Sequence, residues 1–247
     1  MGKPLDGKVA FITGGSRGIG AAIAKRLARD GADVALTYFS GKERAEQVVR
    51  AIEAQGRRGL ALRADSADEP ALRDAIAAAV AELGRLDVLV NNAGLAALAP
   101  IEQFTMEDFD RTVAVNVRAV FVASQEAARR MTSGGRILTI GSVNADRMPF
   151  AGGAVYAMSK AAVAGLTRGL ARDLGPRGIT VNTVQPGPVD TDMNPAQGEF
   201  ADALKPLTAL GRYGKDEEIA AFVAYLAGPE SSYVTGASLT IDGGFHA

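Results

Sequence analysis

Short runs rich in β-branched and apolar residues alternate with longer segments of helical periodicity along the whole chain. Parallel neighbouring strands need a crossover connection, so this alternation is typical of a parallel sheet covered by helices on both faces. The predicted strands are Val9–Thr13, Asp33–Tyr38, Gly59–Ala64, Leu86–Asn91, Arg136–Gly141, Ile179–Val184 and Ser238–Ile241. The predicted helices are Gly18–Arg29, Glu43–Ala54, Glu69–Leu83, Met106–Met131, Val155–Leu174 and Asp216–Leu226. We therefore predict an α/β fold with one seven-stranded, doubly wound parallel sheet.

No linker, repeat or low-complexity tract divides the chain, and we predict one domain over residues 1–247. The long stretch without clear periodicity follows the sixth strand, from Pro186 to Gly214, and is rich in Pro, Gly, Asp and Thr. Loops of that length in compact domains are usually functional. We predict that residues 187–214 form a lid over a substrate.

Composition excludes several classes of function. With 27 Lys and Arg against 28 Asp and Glu, the net charge of −1 argues against a nucleic-acid or anionic-membrane partner. The chain has no cysteine, and its one histidine is His246, which argues against a metal site and a Ser-His-Asp triad. Its start, MGKPLDGK, lacks a signal-peptide apolar stretch, and no run reaches the roughly 18 apolar residues of a membrane span. We expect a soluble, cytoplasmic protein.

A glycine-rich turn, TGGSRGIG at positions 13–20, follows the first strand directly and opens a helix. Glycines permit a tight turn and close backbone approach, while the helix N-terminus offers free N–H groups to a pyrophosphate. This context predicts a dinucleotide site.

The end of the second strand bears on the choice of cofactor. An acidic residue there would favour NAD by accepting from the ribose 2′-hydroxyl, but the chain has Thr-Tyr-Phe-Ser at 37–40. Arg17 and Lys42 are close enough in sequence to reach a 2′-phosphate. The pattern favours NADP(H), although NAD(H) is possible. Asp65, after the third strand, is predicted to accept from the adenine amino group, with a helix N-cap as the alternative.

Tyr156 and Lys160 are four residues apart in a helical segment, so their side chains share one face. A tyrosine with an ordinary pKa near 10 needs a neighbouring cation to act as an acid or base near neutrality. An ammonium at roughly 4 Å would lower that pKa by about three units before screening, to about 7. A surface pair without chemistry is the alternative.

Two further polar residues stand in apolar surroundings. Ser142 ends the fifth strand, and Asn116 lies inside a helix in the sequence Val-Ala-Val-Asn-Val. A mid-helix asparagine is costly unless its amide is satisfied. A water or a backbone partner near an active site would satisfy it, and the alternative is a structural hydrogen bond that merely bends the helix.

The order and spacing of TGGSRGIG, NNAG, Asn116, Ser142, Tyr156-x-x-x-Lys160, Pro186-Gly187 and the C-terminal Thr-Gly and Asp-Gly-Gly resemble the short-chain dehydrogenase/reductase family over essentially the whole chain. The resemblance implies a Rossmann fold, a nicotinamide cofactor and an Asn-Ser-Tyr-Lys tetrad. The implied cofactor contacts are Gly14, Ser16, Arg17, Gly18, Ile19, Gly20, Tyr38, Ser40, Asp65, Ser66, Asn92, Ala93, Gly94, Tyr156, Lys160, Pro186, Gly187, Val189 and Thr191.

Carried onto this chain, the family roles make Tyr156 the proton donor to a carbonyl oxygen, or the acceptor from an alcohol, during hydride transfer. Lys160 would bind the nicotinamide ribose and lower the tyrosine pKa, Ser142 would hold the substrate oxygen, and Asn116 would position a water. One departure is the serine-to-tyrosine spacing of fourteen residues, where thirteen is common in the family. The extra residue could shift Ser142 or reshape the substrate mouth.

Two finer resemblances compete. The whole resembles 3-oxoacyl-[acyl-carrier-protein] reductases, for which Arg129 and Arg130 could receive an acidic carrier. The segments 141–149 and 185–192 look more like a bacterial subgroup that includes a cyclic-di-GMP-binding biofilm dispersal mediator, for which Arg147 and Arg212 are candidate phosphate contacts. An NADP(H)-dependent enzyme acting on a carbonyl or secondary alcohol is the main prediction, and a regulatory cyclic-di-GMP-binding protein is its alternative. The family also implies a homotetramer paired through the helices at 106–131 and 155–174.

Overall fold

A computed structural model describes residues 2–247 and contains one seven-stranded sheet with every pair of neighbours parallel. The strand order is β3-β2-β1-β4-β5-β6-β7. The strands are β1 Val9–Ile12, β2 Asp33–Tyr38, β3 Gly59–Arg63, β4 Val88–Asn91, β5 Arg136–Ile140, β6 Thr180–Pro186 and β7 Ser238–Ile241. The α/β, doubly wound fold predicted from the alternating pattern is confirmed.

Helices cover both faces of this sheet. They are α1 Gly18–Arg29, α2 Lys42–Glu53, α3 Glu69–Leu83, α4 Met106–Val113, α5 Ala119–Arg130, α6 Ala154–Leu174, α7 Glu199–Leu204 and α8 Asp216–Ala227. Helices α1, α2 and α8 pack on one face, and α3, α5 and α6 pack on the other. Strand β1 is apolar throughout because both faces of the sheet are covered there, and all four of its residues are buried.

The order of the strands positions the site. Strand β1 pairs with β2 on one side and β4 on the other, so the chain reverses its direction of winding between β1 and β4. In open α/β sheets, the crevice for a ligand forms outside the carboxyl ends of the strands at such a reversal. The glycine-rich turn after β1 and the Asn-Asn-Ala-Gly turn after β4 therefore face one another.

Two parts of the predicted secondary structure were wrong. The helix expected over Met106–Met131 is interrupted by a π-helical turn, Ala114–Arg118, which separates α4 from α5. The stretch 187–214, expected to lack regular structure, contains α7 and a 3-10 turn, Lys205–Leu207. Helix α7 is too short to show a helical period in sequence.

Among residues 2–247, no helix combines the length and the apolar character needed to cross a bilayer. In the same residues, no three His, Asp or Glu side chains gather where a metal ion could be held.

Candidate active site

A cleft of about 400 Å³ opens at the carboxyl ends of the central strands. Its walls contain all of the residues named above as cofactor contacts, and also Ser142. Of the four tetrad residues, only Asn116 lies behind the wall. The structure therefore brings the two predicted groups, the nucleotide end and the catalytic end, into one continuous cleft.

The glycine loop fits against its neighbours so closely that side chains would not be accommodated. Gly14 has a φ of +65°, and a Cβ placed on it would lie 3.0 Å from Ala93 Cα. A Cβ on Gly15 would lie 2.6 Å from Leu36 Cβ, and one on Gly20 would collide with the Asn92 amide and the Gly14 carbonyl. These glycines leave the turn backbone and the N-terminus of α1 bare toward the cleft.

Side-chain hydrogen bonds tie the glycine loop to the turn after β4. The Thr13 hydroxyl accepts from the backbone N–H groups of Asn92 and Ala93, both at 3.0 Å. The Asn92 amide donates to the carbonyls of Thr13, at 3.0 Å, and Gly14, at 2.9 Å. The two turns consequently form one rigid floor.

At the adenosine end, Arg44 rather than Lys42 lies beside Arg17 in the cleft wall. Both guanidiniums converge on the Asp192 carboxylate, with NH1 of Arg17 at 3.6 Å and NH1 of Arg44 at 3.1 Å from Oδ2. Lys42 forms an ion pair with Glu46 along α2, at 3.6 Å, and does not line the cleft. The geometry is consistent with the prediction for Arg17, and the structure adds Arg44 as a second guanidinium in the cleft wall. That Lys42 reaches a 2′-phosphate stays a prediction.

Gly41 explains why Arg44 takes this place. It is the N-cap of α2 with φ +76°, and a Cβ on it would lie 3.1 Å from Arg44 Nε. The arginine therefore folds back over bare backbone toward the cleft. Gly41 in the sequence Gly-Lys-Glu-Arg at 41–44 is compatible with this left-handed turn. Residue types alone do not predict that the turn forms.

Asp65 makes an ion pair that the sequence did not predict. Arg111 of α4 donates to both of its oxygens, at 2.9 and 3.1 Å, and the Ala67 N–H donates at 2.9 Å. Burial favours the neutral acid, but these hydrogen bonds outweigh it and lower the pKa of Asp65. The N-cap of α3 is Asp68, which accepts from Ala71 N at 3.0 Å, so capping is not the role of Asp65.

At the opposite end of the cleft, Lys160 is buried beside Tyr156. Its Nζ lies 5.7 Å from the centre of the Tyr156 ring and donates to the Ile140 carbonyl at 2.9 Å. Burial lowers the pKa of Lys160 to about 8. The ammonium thus has one backbone acceptor and a position from which it faces the tyrosine.

The expectation that Lys160 brings the Tyr156 pKa down to about 7 is not met. Burial raises the pKa of Tyr156, and a hydrogen bond with Ser142 opposes the rise only in part. In this structure Tyr156 is a neutral phenol, ready to donate a proton.

Ser142 remains in register with Tyr156 despite the extra residue between them. It is buried, and its hydroxyl both accepts from Asn144 N at 3.1 Å and reaches the tyrosine. A 3-10 turn, Val143–Ala145, follows directly, and Ser142 is its N-cap.

Asn116 lies in the π-helical turn and binds protein groups directly. Its Oδ1 accepts from Leu95 N at 3.0 Å, and its Nδ2 donates to Leu95 O at 2.9 Å and to Ser159 Oγ at 3.0 Å. Ser159 in turn donates to the Tyr156 carbonyl at 2.7 Å. The backbone partner expected near the active site is Leu95, which lines the cleft. Asn116 thereby links the turn after β4 to the helix that carries Tyr156.

Three segments contact one another beside Ser142: the loop after β4, the loop before α6 and the segment that contains α7. Ala99 N donates to Gly152 O at 3.1 Å, which joins the loop after β4 to the loop before α6. Helix α7 packs beside Val143, and the Phe150 and Phe200 rings meet edge to face with centres 5.6 Å apart. Exposed apolar side chains, including Leu98 and Met193, surround this region.

The arginines considered for other ligands are already engaged. Arg147 donates to the Phe245 carbonyl and lies over that ring, and Arg212 makes a two-point pair with Glu218 at 2.8 Å. Arg129 and Arg130 both donate to Glu126, as Arg73 of α3 also does.

A family model described as enoyl-(acyl carrier protein) reductase matches residues 14–246. A solved short-chain dehydrogenase/reductase from Serratia marcescens is 66% identical, covers 99% of this chain and 100% of its own, and superimposes with a TM-score of 0.98. This chain belongs to the short-chain dehydrogenase/reductase family.

Two further relatives bear on cofactor and ligand. A short-chain dehydrogenase from Burkholderia cenocepacia, solved in complex with NADP, is 57% identical over 99% of this chain and 100% of its own, with a TM-score of 0.98. The cyclic-di-GMP-binding biofilm dispersal mediator protein of Escherichia coli is 53% identical over 98% of this chain and 99% of its own. As a member of the short-chain dehydrogenase/reductase family, this chain has the fold of an oxidoreductase. The similar solved structure from Burkholderia cenocepacia holds NADP.

Proposed function

We propose that this chain is an NADP(H)-dependent oxidoreductase that interconverts a carbonyl compound and a secondary alcohol. The observation that carries the proposal is the single cleft that joins a bare glycine loop and two arginines to Ser142, Tyr156 and Lys160. A protein that only bound a ligand would have no need for a phenol and a buried ammonium at one end of that cleft.

The residues present fit a phosphorylated nicotinamide dinucleotide. The glycine loop offers backbone N–H groups at a helix N-terminus, where added Cβ atoms would collide with neighbours. No carboxylate ends β2, and two guanidiniums converge on one anion beside it. Arg17 and Arg44 would hold the 2′-phosphate, and Lys160 the nicotinamide ribose.

The bound cofactor supplies a hydride to the carbonyl carbon, and the protein supplies the proton to the oxygen. Tyr156 is the donor, because burial keeps its phenol protonated in the cleft. Ser142, in hydrogen-bond contact with the tyrosine, holds the same oxygen. The Lys160 ammonium lies beside the phenol and stabilises the charge that remains after the proton leaves.

Asn116 acts on this chemistry through structure. Its three hydrogen bonds to Leu95 and Ser159 hold the turn after β4 against α6, and so fix the distance between the cofactor floor and Tyr156. It is a positioning residue. That Asn116 also positions a water that relays protons to Lys160 is implied by the family resemblance.

Apolar side chains around the mouth favour a carbonyl compound with apolar substituents. Leu98, Met193 and Phe200 are about half exposed there, at 48%, 56% and 51%. Such side chains would be covered by an apolar substrate and gain stability from it. 3-Oxoacyl thioesters belong to the same chemical class and remain the alternative substrate.

The substitution Tyr156→Phe tests the mechanism. It removes the donated proton and leaves the cleft shape intact, so kcat for NADPH-dependent ketone reduction should fall by about 100-fold or more. The dissociation constant for NADPH, measured by titration calorimetry, should change by less than about threefold. Tyr225→Phe, at an exposed position of α8, is the matched control. Wild-type turnover in Tyr156→Phe would refute the role of the phenol.

Binding of cyclic-di-GMP is a second candidate, favoured by the similarity to the dispersal mediator. The engaged state of Arg147 and Arg212 disfavours it, since a cyclic dinucleotide carries two phosphates that need cationic partners. Parallel calorimetric titration with NADPH, NADH and cyclic-di-GMP separates the two candidates. Tight cyclic-di-GMP binding without turnover of ketones or 3-oxoacyl thioesters would establish the binding role.

A further inference from the structure

The carboxylate of Asp192 lies where two cleft arginines converge. Arg17 comes from the N-cap of α1 and Arg44 from the first turn of α2, and Asp192 is the anion that both contact. The carboxylate belongs to neither element but to the 187–214 segment. It therefore joins the segment after β6 to the adenosine end of the cleft.

A short anchored turn holds the carboxylate in this position. Thr191 N donates to Asn194 O at 3.3 Å, and Asn194 N donates to Thr191 O at 3.0 Å, so that Asp192 lies at the tip of the turn. Asp190 N donates to Gly214 O at 3.0 Å and fixes the base of the turn. The Thr191 side chain lies against the glycine loop, 3.3 Å from where a Cβ on Gly18 would be.

Positive charge exceeds negative charge around Asp192. Two guanidiniums meet one carboxylate, while the neighbouring guanidinium of Arg111 is already satisfied by both oxygens of Asp65. A phosphate monoester carries a charge of about −1.5 to −2 at pH 7 and has three acceptor oxygens. It satisfies two arginines better than one carboxylate does.

We infer that Asp192 is a specificity-determining residue that competes with the 2′-phosphate of the cofactor for Arg17 and Arg44. A cofactor with this phosphate displaces the carboxylate, since the two anions repel each other at a shared pair of cations. A cofactor without it leaves Asp192 paired. The position of the 187–214 segment thus depends on the 2′-phosphate. This inference rests on the proposed binding of NADP(H).

The variant Asp192→Asn removes the competing charge and keeps the shape of the side chain. The dissociation constant for NADPH should fall by about three- to tenfold at low salt, the range expected for two exposed ion pairs. The constant for NADH should change by less than about twofold. Added salt should shrink the NADPH effect, because exposed charges are screened.

Fragments of the cofactor isolate the adenosine end. Adenosine 2′,5′-bisphosphate should bind Asp192→Asn more tightly than wild type, and 5′-AMP should bind both equally. Asp202→Asn makes the same change of charge in α7, where its partner is Lys205 at 2.9 Å, and should leave both constants unchanged. In an Arg17→Ala/Arg44→Ala background, the effect of Asp192→Asn should vanish.

Hydrogen exchange gives a second readout that does not depend on activity. In wild type, residues 192–194 should exchange faster with NADPH bound than with NADH bound. If wild type binds NADPH but Asp192→Asn matches it in affinity and exchange, the inference is overturned. If wild type binds neither NADPH nor the bisphosphate, the proposed function fails instead.

Discussion

At the scale of single residues, the site depends on burying an ammonium next to a phenol. Lys160 has a backbone carbonyl as acceptor and no carboxylate pair, and burial accordingly lowers its pKa to about 8. Tyr156, half-buried above it, has its pKa raised. The two shifts have opposite directions because burial disfavours the charged form of each group.

These shifts predict the pH dependence of carbonyl reduction. The lysine is charged below about pH 8 and neutral above it, whereas the tyrosine stays protonated over the same range. We expect kcat for ketone reduction to fall as the pH rises through about 8, in a profile measured with saturating NADPH. Lys160→Arg keeps its charge, so any residual activity should lack this fall. A wild-type kcat that stays flat to pH 10 would contradict the assignment.

The residues found from sequence are those whose chemistry is local. The glycine loop, Tyr156 and Lys160 could be placed because a turn next to a strand and a helical spacing of four are written in adjacent positions. Arg44 could not be distinguished from Lys42, because the choice depends on the left-handed backbone at Gly41. The pKa of Tyr156 could not be predicted either, since the direction of the ammonium relative to the hydroxyl is a tertiary property.

At the scale of elements, the sheet was predictable and the interruptions of its helices were not. Each strand agrees with its predicted span to within two residues, because continuous apolar runs between turn residues define buried strands well. The π-helical turn at 114–118 depends on the bonds of Asn116 to Leu95, twenty-one residues away. The short α7 packs by contacts with Val143 and Phe245, which no local pattern reveals.

Two helical glycines, one packed against the cleft floor and one exposed, predict opposite effects of the same substitution. Gly20→Ala places a Cβ against the Asn92 amide and the Gly14 carbonyl, and should weaken NADPH binding by at least about tenfold, measured by calorimetry. Gly169→Ala, on the exposed side of α6, meets no atom within 4 Å. It should raise the free energy of unfolding by about 0.5–1 kcal/mol, measured by urea denaturation, with NADPH affinity unchanged. Equal NADPH affinity in both variants would contradict the close fit of the loop.

At the scale of the whole molecule, the helices over 106–131 and 154–174 leave apolar side chains on the surface. Phe121 of α5 and Met158 of α6 are 46% and 43% exposed. Burial of such side chains between copies would stabilise an oligomer. The family resemblance implies that these helices pair across subunits.

We accordingly expect a homotetramer, with a mass by light scattering of about four times the 25.5 kDa of one chain. Phe121→Asp places a charge on the proposed contact face and should lower the measured mass. Tyr233→Asp changes a fully exposed aromatic outside both helices and should leave the mass unchanged. A wild-type mass of one chain would exclude the tetramer.

The hydrogen bonds between Thr13 and the Asn92 turn have a consequence for the order of folding. They join positions almost eighty residues apart, at the boundary between the half of the sheet built by β1–β3 and the half built by β4–β7. The glycine loop and its arginines belong to the first half and the Asn92 turn to the second, so the complete dinucleotide site forms only when both halves have docked. A ligand that binds only the finished fold stabilises it by mass action and does not guide the chain toward it. The bound cofactor thus stabilises the folded state against unfolding and does not direct the order in which the chain folds.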